Sequence, residues 1–151
     1  ADLVSTELLD AGAAGALVEI GGDLRVAGVP PTGRAWNVGV SPTHPGERHG
    51  IVELAEGAVA TSSSRRRTWC HDGRRRHHLI DPRTLDSTSS GIVSCTVIAG
   101  SGAWAEAFAK VPFGVGATAA MGVFGRHQLA ASITSDDGTQ QASRSWERFI
   151  R

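Results

Sequence analysis

The pair Asp72-Gly73 stands between two extended segments, Thr68 to His71 and Arg74 to His77, and it is the strongest local constraint on the fold. A tight turn between antiparallel strands needs a positive φ at both central residues, which Asp-Gly adopts readily. The sequence therefore predicts a β-hairpin here and favours antiparallel pairing. Nineteen glycines in the whole chain indicate many further turns.

Short apolar or alternating segments between turn residues predict the other strands. In Ala35 to Ser41 apolar residues occupy every second position, which is the side-chain period of a strand. Gly21-Gly22-Asp23 and Asp136-Asp137-Gly138 are predicted turns between neighbouring strands. The predicted strands are Ala16 to Ile20, Leu24 to Val26, Ala35 to Ser41, Ile51 to Leu54, Ala58 to Thr61, Ile92 to Ala99, Gln128 to Thr134 and Gln140 to Ser143.

Three segments are predicted to be helical. Ala1 to Ala14 has apolar residues at helical spacing, Ser101 can cap a second helix that runs to about Lys110, and Ala117 to Phe124 is a weaker third. Pro112 is expected to end or kink the second helix. The predicted fold class is α+β, a mostly antiparallel sheet packed by two or three helices, in a single domain over residues 1–151.

Composition excludes several classes of protein. The chain has 151 residues, of which 40% are apolar and 20% charged, so it is globular rather than disordered. Its formal net charge is zero, which gives no general attraction to nucleic acid or to an anionic membrane. No apolar run approaches the roughly 20 residues that span a bilayer. A soluble chain without a visible signal peptide is therefore expected, and the sequence leaves its compartment open, with the cytoplasm as one possibility.

The two cysteines are predicted to be ordinary strand residues. Cys70 and Cys95 fit neither a metal-binding spacing nor a disulfide framework. The sequence leaves open a bridge between them.

The stretch from His77 to Thr84 is the most informative about chemistry. Pro82 biases Asp81 toward extended geometry. A histidine three residues before an aspartate can place an imidazole beside a carboxylate, and such a pair moves protons near neutral pH. The alternative is that His78 and Asp81 only stabilise a turn.

This stretch resembles the His-x-Ile-Asp-Pro-Arg-Thr-Gly motif of the FAD:protein FMN transferases, the ApbE-type family, with Leu85 in place of the final glycine. Other segments resemble family patterns in the same order along the chain. They are the turn at Val18 to Asp23, the strand and Thr-Ser turn at Ala58 to Ser62, the helix at Ala105 to Lys110, and the closing hairpin from Asp137 to Phe149. The resemblance implies an ApbE-like, T-fold-like half-domain.

The resemblance also implies an activity, the transfer of FMN from FAD to a Thr or Ser hydroxyl of a partner protein with release of AMP. Magnesium bridges the phosphates in that family. His78 matches the family's catalytic histidine and is the expected proton acceptor, and Asp81 is expected to orient it. Thr61 and Thr84 are expected to bind phosphate or ribose oxygens.

Two glycines and two charged residues complete the expected site. Gly21 and Gly22 are expected to let the backbone approach the flavin nucleotide. Glu106 stands where the family has a metal-ligating aspartate, and Lys110 where it has a ligating threonine. An ammonium has no acceptor and repels a cation. Two interpretations stay open: an ordinary i,i+4 surface ion pair, or a Lys110 ammonium that takes the ion's place and binds phosphate.

The family is about twice the length of this chain, and its first half supplies much of the FAD pocket. Asp2 matches the last residue of a Lys-Gly-x-x-x-Asp segment in that half. Two interpretations stay open: a second chain or a homo-oligomer completes the pocket, or the chain is a degenerate or truncated copy with weakened activity. The alternative function is a non-catalytic flavin-nucleotide-binding or protein-interaction module that has lost its metal site.

Two arginine runs flank the predicted hairpin, Arg65 to Arg67 and Arg74 to Arg76. They form a basic face that suits pyrophosphate or nucleic acid, or a solvated edge hairpin whose charges block aggregation. The zero net charge argues against nucleic acid. His44 and His49, in a loop predicted at Ser41 to Gly50, are too isolated to be proposed as ligands.

Overall fold

The computed structural model of the protein describes residues 1–40 and 50–151, so most of the predicted loop, with His44 and His49, lies outside them. The α-helices described in these ranges are α1 Asp2–Asp10, α2 Gly102–Ala109, α3 Val111–Val115 and α4 Ala117–Arg126. The strands are β1 Gly15–Ile20, β2 Asp23–Gly28, β3 Trp36–Val40, β4 Gly50–Leu54, β5 Gly57–Ser63, β6 Thr68–His71, β7 Arg74–His77, β8 Ile80–Asp81, β9 Asp86–Ser87, β10 Ile92–Ala99, β11 Ala130–Ser135 and β12 Gln140–Ala142. A 3₁₀ helix at Trp146–Arg148 follows. None of the helices is long and apolar enough to cross a membrane.

An antiparallel sheet of six strands forms the centre of the fold, in the order β1-β2-β5-β10-β11-β12. β10 is a central strand, and its residues from Ile92 to Ile98 are all buried. Its β-branched residues suit a strand that is covered on both faces. Three two-stranded ladders accompany the sheet: β3 with β4, β6 with β7, and β8 with β9.

The two faces of the sheet are covered by different elements. Val97 of β10 packs in a cluster with Phe113 of α3. The next residue, Ile98, packs with Trp36 of β3 and Leu54 of β4. Because successive strand residues point to opposite faces, a single strand supplies both apolar clusters. The helices α2 to α4 therefore lie on one face, and the β3–β4 hairpin lies on the other.

The predicted fold class is confirmed, with two local differences. Pro112 does not simply end the second helix; it is the second residue of α3, since its fixed φ suits the first turn of a helix. The two-residue ladder of β8 and β9 was not predicted, because such short strands carry no periodicity. The first helix is shorter than the predicted segment from Ala1 to Ala14. It ends at Asp10, two residues before Gly12, which has a positive φ.

Both cysteines are free, so the disulfide left open by the sequence is not formed. Cys70 lies exposed in β6, and Cys95 lies buried in β10. Burial raises the pKa of the Cys95 thiol well above its usual range, which keeps it protonated and unreactive. The prediction of two ordinary strand residues is confirmed.

Candidate functional site

A cavity of about 770 Å³ opens where the β1–β2 turn and β5 meet β3 and the loop that follows β5. Its volume is in the range of sites that hold small organic ligands and cofactors. Six of the eight residues that the sequence singles out line this cavity: Gly21, Gly22, Thr61, His78, Glu106 and Lys110. The fold therefore brings together residues that are distant along the chain.

Gly21 and Gly22 form the two-residue turn between β1 and β2, since Ile20 pairs directly with Asp23. Their φ angles are 67° and 102°, which residues with a side chain rarely adopt. A Cβ atom at either position would meet nothing within 4 Å. Both glycines are thus required by the turn itself, and the turn sets Asp23 at the rim of the cavity.

His78 is half-buried and lies at the exit of the β6–β7 hairpin, on the cavity wall. Its Nδ1 atom lies 3.2 Å from the backbone carbonyl oxygen of Arg66. A carbonyl only accepts, so in the neutral ring Nδ1 carries the hydrogen and donates it. Nε2 then has a lone pair with no partner among the described residues, and it can accept a proton.

The preceding histidine has a different environment. The Nδ1 atom of His77 accepts from the backbone N–H of Leu79 at 3.3 Å, and its Nε2 atom lies 3.1 Å from the carbonyl oxygen of Thr88. Burial is the main cause that lowers the pKa of His77 and favours its neutral ring. Both ring nitrogens are engaged, so His77 fixes the chain and His78 is the histidine available to a ligand.

Asp81 and Thr84, the two other predicted residues, are not among those lining the cavity. The Asp81 carboxylate accepts from the backbone N–H and the Nε and Nη2 atoms of Arg83, at 2.9, 3.1 and 2.8 Å. The Arg83 guanidinium, followed by the backbone N–H, lowers the pKa of Asp81. The exposed Thr84 hydroxyl lies 3.4 Å from the backbone N–H of Asp86.

The structure therefore does not place the His78 imidazole against the Asp81 carboxylate, which was the expected arrangement. His78 lies in a bend after β7 and its ring contacts the Arg66 carbonyl oxygen, whereas the Asp81 carboxylate is bound by Arg83. Leu79 between them is buried in the core.

Thr61 contributes a hydroxyl to the cavity from the middle of β5. Its Oγ1 atom lies 2.8 Å from that of Thr96, the residue directly opposite on β10. This cross-strand hydrogen bond holds the Thr61 side chain in one orientation. The hydroxyl is thus a fixed polar group in the wall of the cavity.

Two carboxylates and an ammonium meet at the α2 side of the cavity. The Lys110 ammonium pairs with the carboxylate of Glu106, one helical turn earlier. Asp23, the first residue of β2, lies near the Glu106 carboxylate and the Lys110 charge, and both influence its pKa. Partial burial, followed by the negative charge of Glu106, raises the pKa of Asp23, while Lys110 acts in the opposite direction.

The Asp23 and Glu106 carboxylates, with an ammonium beside them, do not fit a magnesium ion. Magnesium requires near-ideal octahedral coordination by oxygen atoms. Residues 1–40 and 50–151 contain no group of three or more His, Cys, Asp or Glu side chains that could hold a metal ion. The two carboxylates at this place already have an ammonium against one of them. Magnesium coordination through Glu106, as the resemblance implies, remains an untested prediction.

A basic loop closes another side of the cavity. Arg65, Arg66 and Arg67 follow β5 and line it. The loop turns sharply, because Arg66 N–H donates to the Ser63 carbonyl and Arg67 has a φ of 48°. The second run belongs to β7, where Arg76 pairs with Asp86. The two arginine runs thus have different surroundings, and the first one faces the site.

Asp23 is the site residue that sequence reasoning did not single out. The Gly-Gly-Asp pattern identified its turn, but the contact with Glu106 joins residues that are far apart in sequence. Only the pairing of β2 with β5, and the packing of α2 over these strands, brings the two carboxyl groups together. A motif search that looks for nearby ligands does not find such a pair.

Comparison with known proteins gives a consistent result. A model of the ApbE family matches residues 1–133. The chain is 30% identical to a FAD:protein FMN transferase of Vibrio cholerae over 154 aligned positions. Its structure is similar to the crystal structure of an ApbE protein of Thermotoga maritima, with a TM-score of 0.88 and 28% identity. It is also similar to a flavin transferase ApbE of Vibrio cholerae, with a TM-score of 0.81 and 30% identity.

The extent of these matches is asymmetric. The alignments cover 99% of this chain but 46% of the Vibrio transferase, and 99% of this chain but 50% of the Thermotoga structure. The Vibrio structure gives 98% and 48%. The chain thus spans about half the length of the relatives it matches.

Proposed function

Because the chain belongs to the ApbE family, we propose that it takes part in the transfer of FMN from FAD to a threonine or serine hydroxyl of a partner protein, with release of AMP. The observation that carries the proposal is His78, whose Nε2 lone pair is available at a cavity large enough for a nucleotide. Support comes from two relatives named FAD:protein FMN transferase, which align with almost the whole chain.

The proposed step is an attack by the acceptor hydroxyl on the FMN-side phosphorus of FAD. A new bond forms between the hydroxyl oxygen and that phosphorus, and the bond from the phosphorus to the bridging oxygen breaks. AMP carries that oxygen away, and the hydroxyl proton passes to Nε2 of His78. Such a transfer depends on alignment and on stabilisation of the phosphoryl oxygens, with one group to take the proton.

The other cavity residues are proposed to bind the nucleotide. The Thr61 hydroxyl is held by Thr96 and is suited to a phosphate or ribose oxygen. The turn at Gly21 and Gly22 exposes backbone without side chains beside it. Arg66 and Arg67 supply positive charge where the diphosphate would lie. Asp81 and Thr84 act indirectly in this proposal, by fixing the turn that follows His78.

Transfer is measured by incubating the protein with FAD and an acceptor protein that carries a reactive threonine, then detecting flavin fluorescence on a denaturing gel. We expect His78→Ala to reduce the rate by about 10²- to 10⁴-fold, the usual contribution of a general base. His71→Ala is the matched control, because His71 is an exposed histidine of the same hairpin that does not line the cavity. Unchanged transfer in His78→Ala would refute the assigned role.

A second candidate is a flavin-nucleotide-binding or protein-interaction module without catalysis. The observation in its favour is the ion pair between Lys110 and Glu106, at the place where the family has metal ligands. FAD binding to the wild-type protein without any fluorescent acceptor band would select this candidate. The absence of FAD binding would refute both flavin functions and leave the protein-interaction module.

A further inference from the structure

The α2 side of the cavity carries a built-in cation. Lys110 is the only lysine of the chain, whereas fourteen arginines make up the rest of its fifteen basic residues. Lys110 is the C-cap residue that follows α2, and it lines the cavity. The C-terminal end of a helix has partial negative charge, so this position favours a cation.

The ammonium has one donor left for a ligand. Lys110 has three N–H groups. One donates to the Glu106 carboxylate, and a second is directed at the Glu106 carbonyl oxygen, 3.4 Å from Nζ. No other described residue takes the third, and the side chain is 45% exposed at the cavity surface. A ligand oxygen in the cavity can accept from it.

Two carboxylates lie around this ammonium, and they are the groups that would have to coordinate a divalent ion at this place. Glu106 is already paired with Lys110, and the Asp23 carboxyl group lines the same cavity near Glu106. A divalent cation placed between them would lie against the ammonium, and like charges at such short range repel strongly. The charges of Glu106 and Lys110 both shift the pKa of Asp23, so the three side chains form one electrostatic cluster.

From this geometry we propose that the Lys110 ammonium takes the position of a divalent cation between Asp23 and Glu106 and binds the diphosphate of a flavin nucleotide without a metal ion. The diphosphate part rests on the proposed function, whereas the exclusion of the divalent ion does not. In this arrangement the phosphate oxygens accept from the third Lys110 N–H and from the arginines across the cavity. Neither contact requires a bound ion.

The exclusion is tested with manganese alone, as a paramagnetic substitute for magnesium. Free Mn²⁺ is counted by electron paramagnetic resonance while wild-type protein, Lys110→Thr and Lys110→Arg are added. We expect no stoichiometric binding to the wild type or to Lys110→Arg, and one ion bound to Lys110→Thr. One ion bound to the wild type, or none bound to Lys110→Thr, would overturn the proposal.

The diphosphate part is tested by FAD binding in EDTA and in magnesium chloride. For the wild type we expect dissociation constants that agree within about twofold. Lys110→Met should weaken binding in EDTA by about 10- to 100-fold, the effect of losing a charged hydrogen bond. Arg126→Ala is the matched control, because it removes a cation at the end of α4 that does not line the cavity.

Each outcome has a defined meaning. Wild-type affinity that rises more than tenfold with magnesium overturns the proposal, and so does a Lys110→Met variant that binds as the wild type does. Absence of FAD binding in both buffers overturns the diphosphate part together with the proposed function. The manganese titration still decides the exclusion in that case, since it involves no flavin. Because Lys110 is exposed, all three Lys110 variants are expected to fold, and circular dichroism verifies this.

Discussion

Two aspartates from other elements lie against helix α2, Asp2 from α1 and Asp23 from β2, and their pKa values are shifted in opposite directions. At the N-terminal end, the backbone N–H groups of Gly102 and Ala103 donate to Asp2 at 2.7 and 3.1 Å. Burial alone would raise the pKa of Asp2, but these two bonds, with Arg25, outweigh it and lower the pKa. Further along the helix, beside Glu106, burial and the Glu106 carboxylate raise the pKa of Asp23.

The difference follows from the groups that each carboxyl group meets. The N-terminus of α2 offers unpaired N–H groups and partial positive charge, which stabilise the Asp2 carboxylate, whereas Asp23 is partly buried beside the Glu106 carboxylate. Asp2 therefore joins α1 to α2 and is a structural group. Asp23 is held beside another carboxylate at a cavity, and perturbed groups of this kind concentrate at functional sites.

The largest effect on stability is expected when the N-terminal contact is removed. Asp2→Ala leaves two N–H groups of α2 without their acceptor, so we expect the free energy of unfolding to fall by about 1 kcal/mol, as for other lost helix caps. Urea denaturation measures it. Asp10→Ala is the matched control, because Asp10 is an exposed aspartate at the other end of α1. Equal losses in the two variants would contradict the structural role.

The next effect is a dependence on pH. A carboxyl group with a lowered pKa in the folded state adds stability above its unfolded pKa, and that stability is lost as the pH falls through the folded value. For Asp2 the window lies below the ordinary value of 3.8. We expect the unfolding free energy of Asp2→Asn to fall less steeply with acidification than that of the wild type, by a total of about 1 kcal/mol.

Urea curves at several pH values between about 5 and 2.5 measure this difference. Part of the slope should persist in the variant, since Asp81 and Asp137 also have a lowered pKa. Parallel curves for wild type and Asp2→Asn would show that the two backbone hydrogen bonds do not depend on the charge of Asp2.

The same distinction explains how much of the molecule the sequence predicts. The β6–β7 hairpin is predicted to the residue, because Asp72 and Gly73 have φ angles of 50° and 69° that depend on local turn chemistry. The cap of α2 by Ser101 is local too, and its hydroxyl accepts from Trp104 N–H. Short-range rules of this kind need no knowledge of the rest of the fold.

The contacts that define the site are long-range, and the sequence predicts them less well. The resemblance placed Gly21, Thr61 and Glu106 in one site, and these residues do line one cavity. Reasoning from spacing put His78 beside Asp81, whereas the bend at His78 turns its ring to the Arg66 carbonyl oxygen and Asp81 binds Arg83. The cap of α2 by Asp2 and the contact of Asp23 with Glu106 depend on how distant elements pack, and no local pattern reports this.

The smallest effect on stability is expected for a substitution of Asp23. A carboxyl group with a raised pKa in the folded state lowers stability when it is ionised, and the loss disappears as the pH falls and both states become protonated. Asp23→Asn removes the repulsion with Glu106, so we expect the unfolding free energy at neutral pH to rise by about 0.5 kcal/mol or less, as for partly exposed charges. Below the ordinary pKa of 3.8 the variant and the wild type should converge.

Thermal unfolding at pH 7 and at about pH 3 measures this small difference as a shift in Tm. Glu19→Gln is the matched control, because it removes a carboxylate that also lines the cavity but is not among the groups that shift Asp23. If Asp23→Asn is less stable than the wild type at pH 7, the attraction of Asp23 to Lys110 outweighs its repulsion from Glu106. The ionised form of Asp23 would then be stabilised in the folded protein, as that of Asp2 is, and the contrast between the two aspartates would be lost.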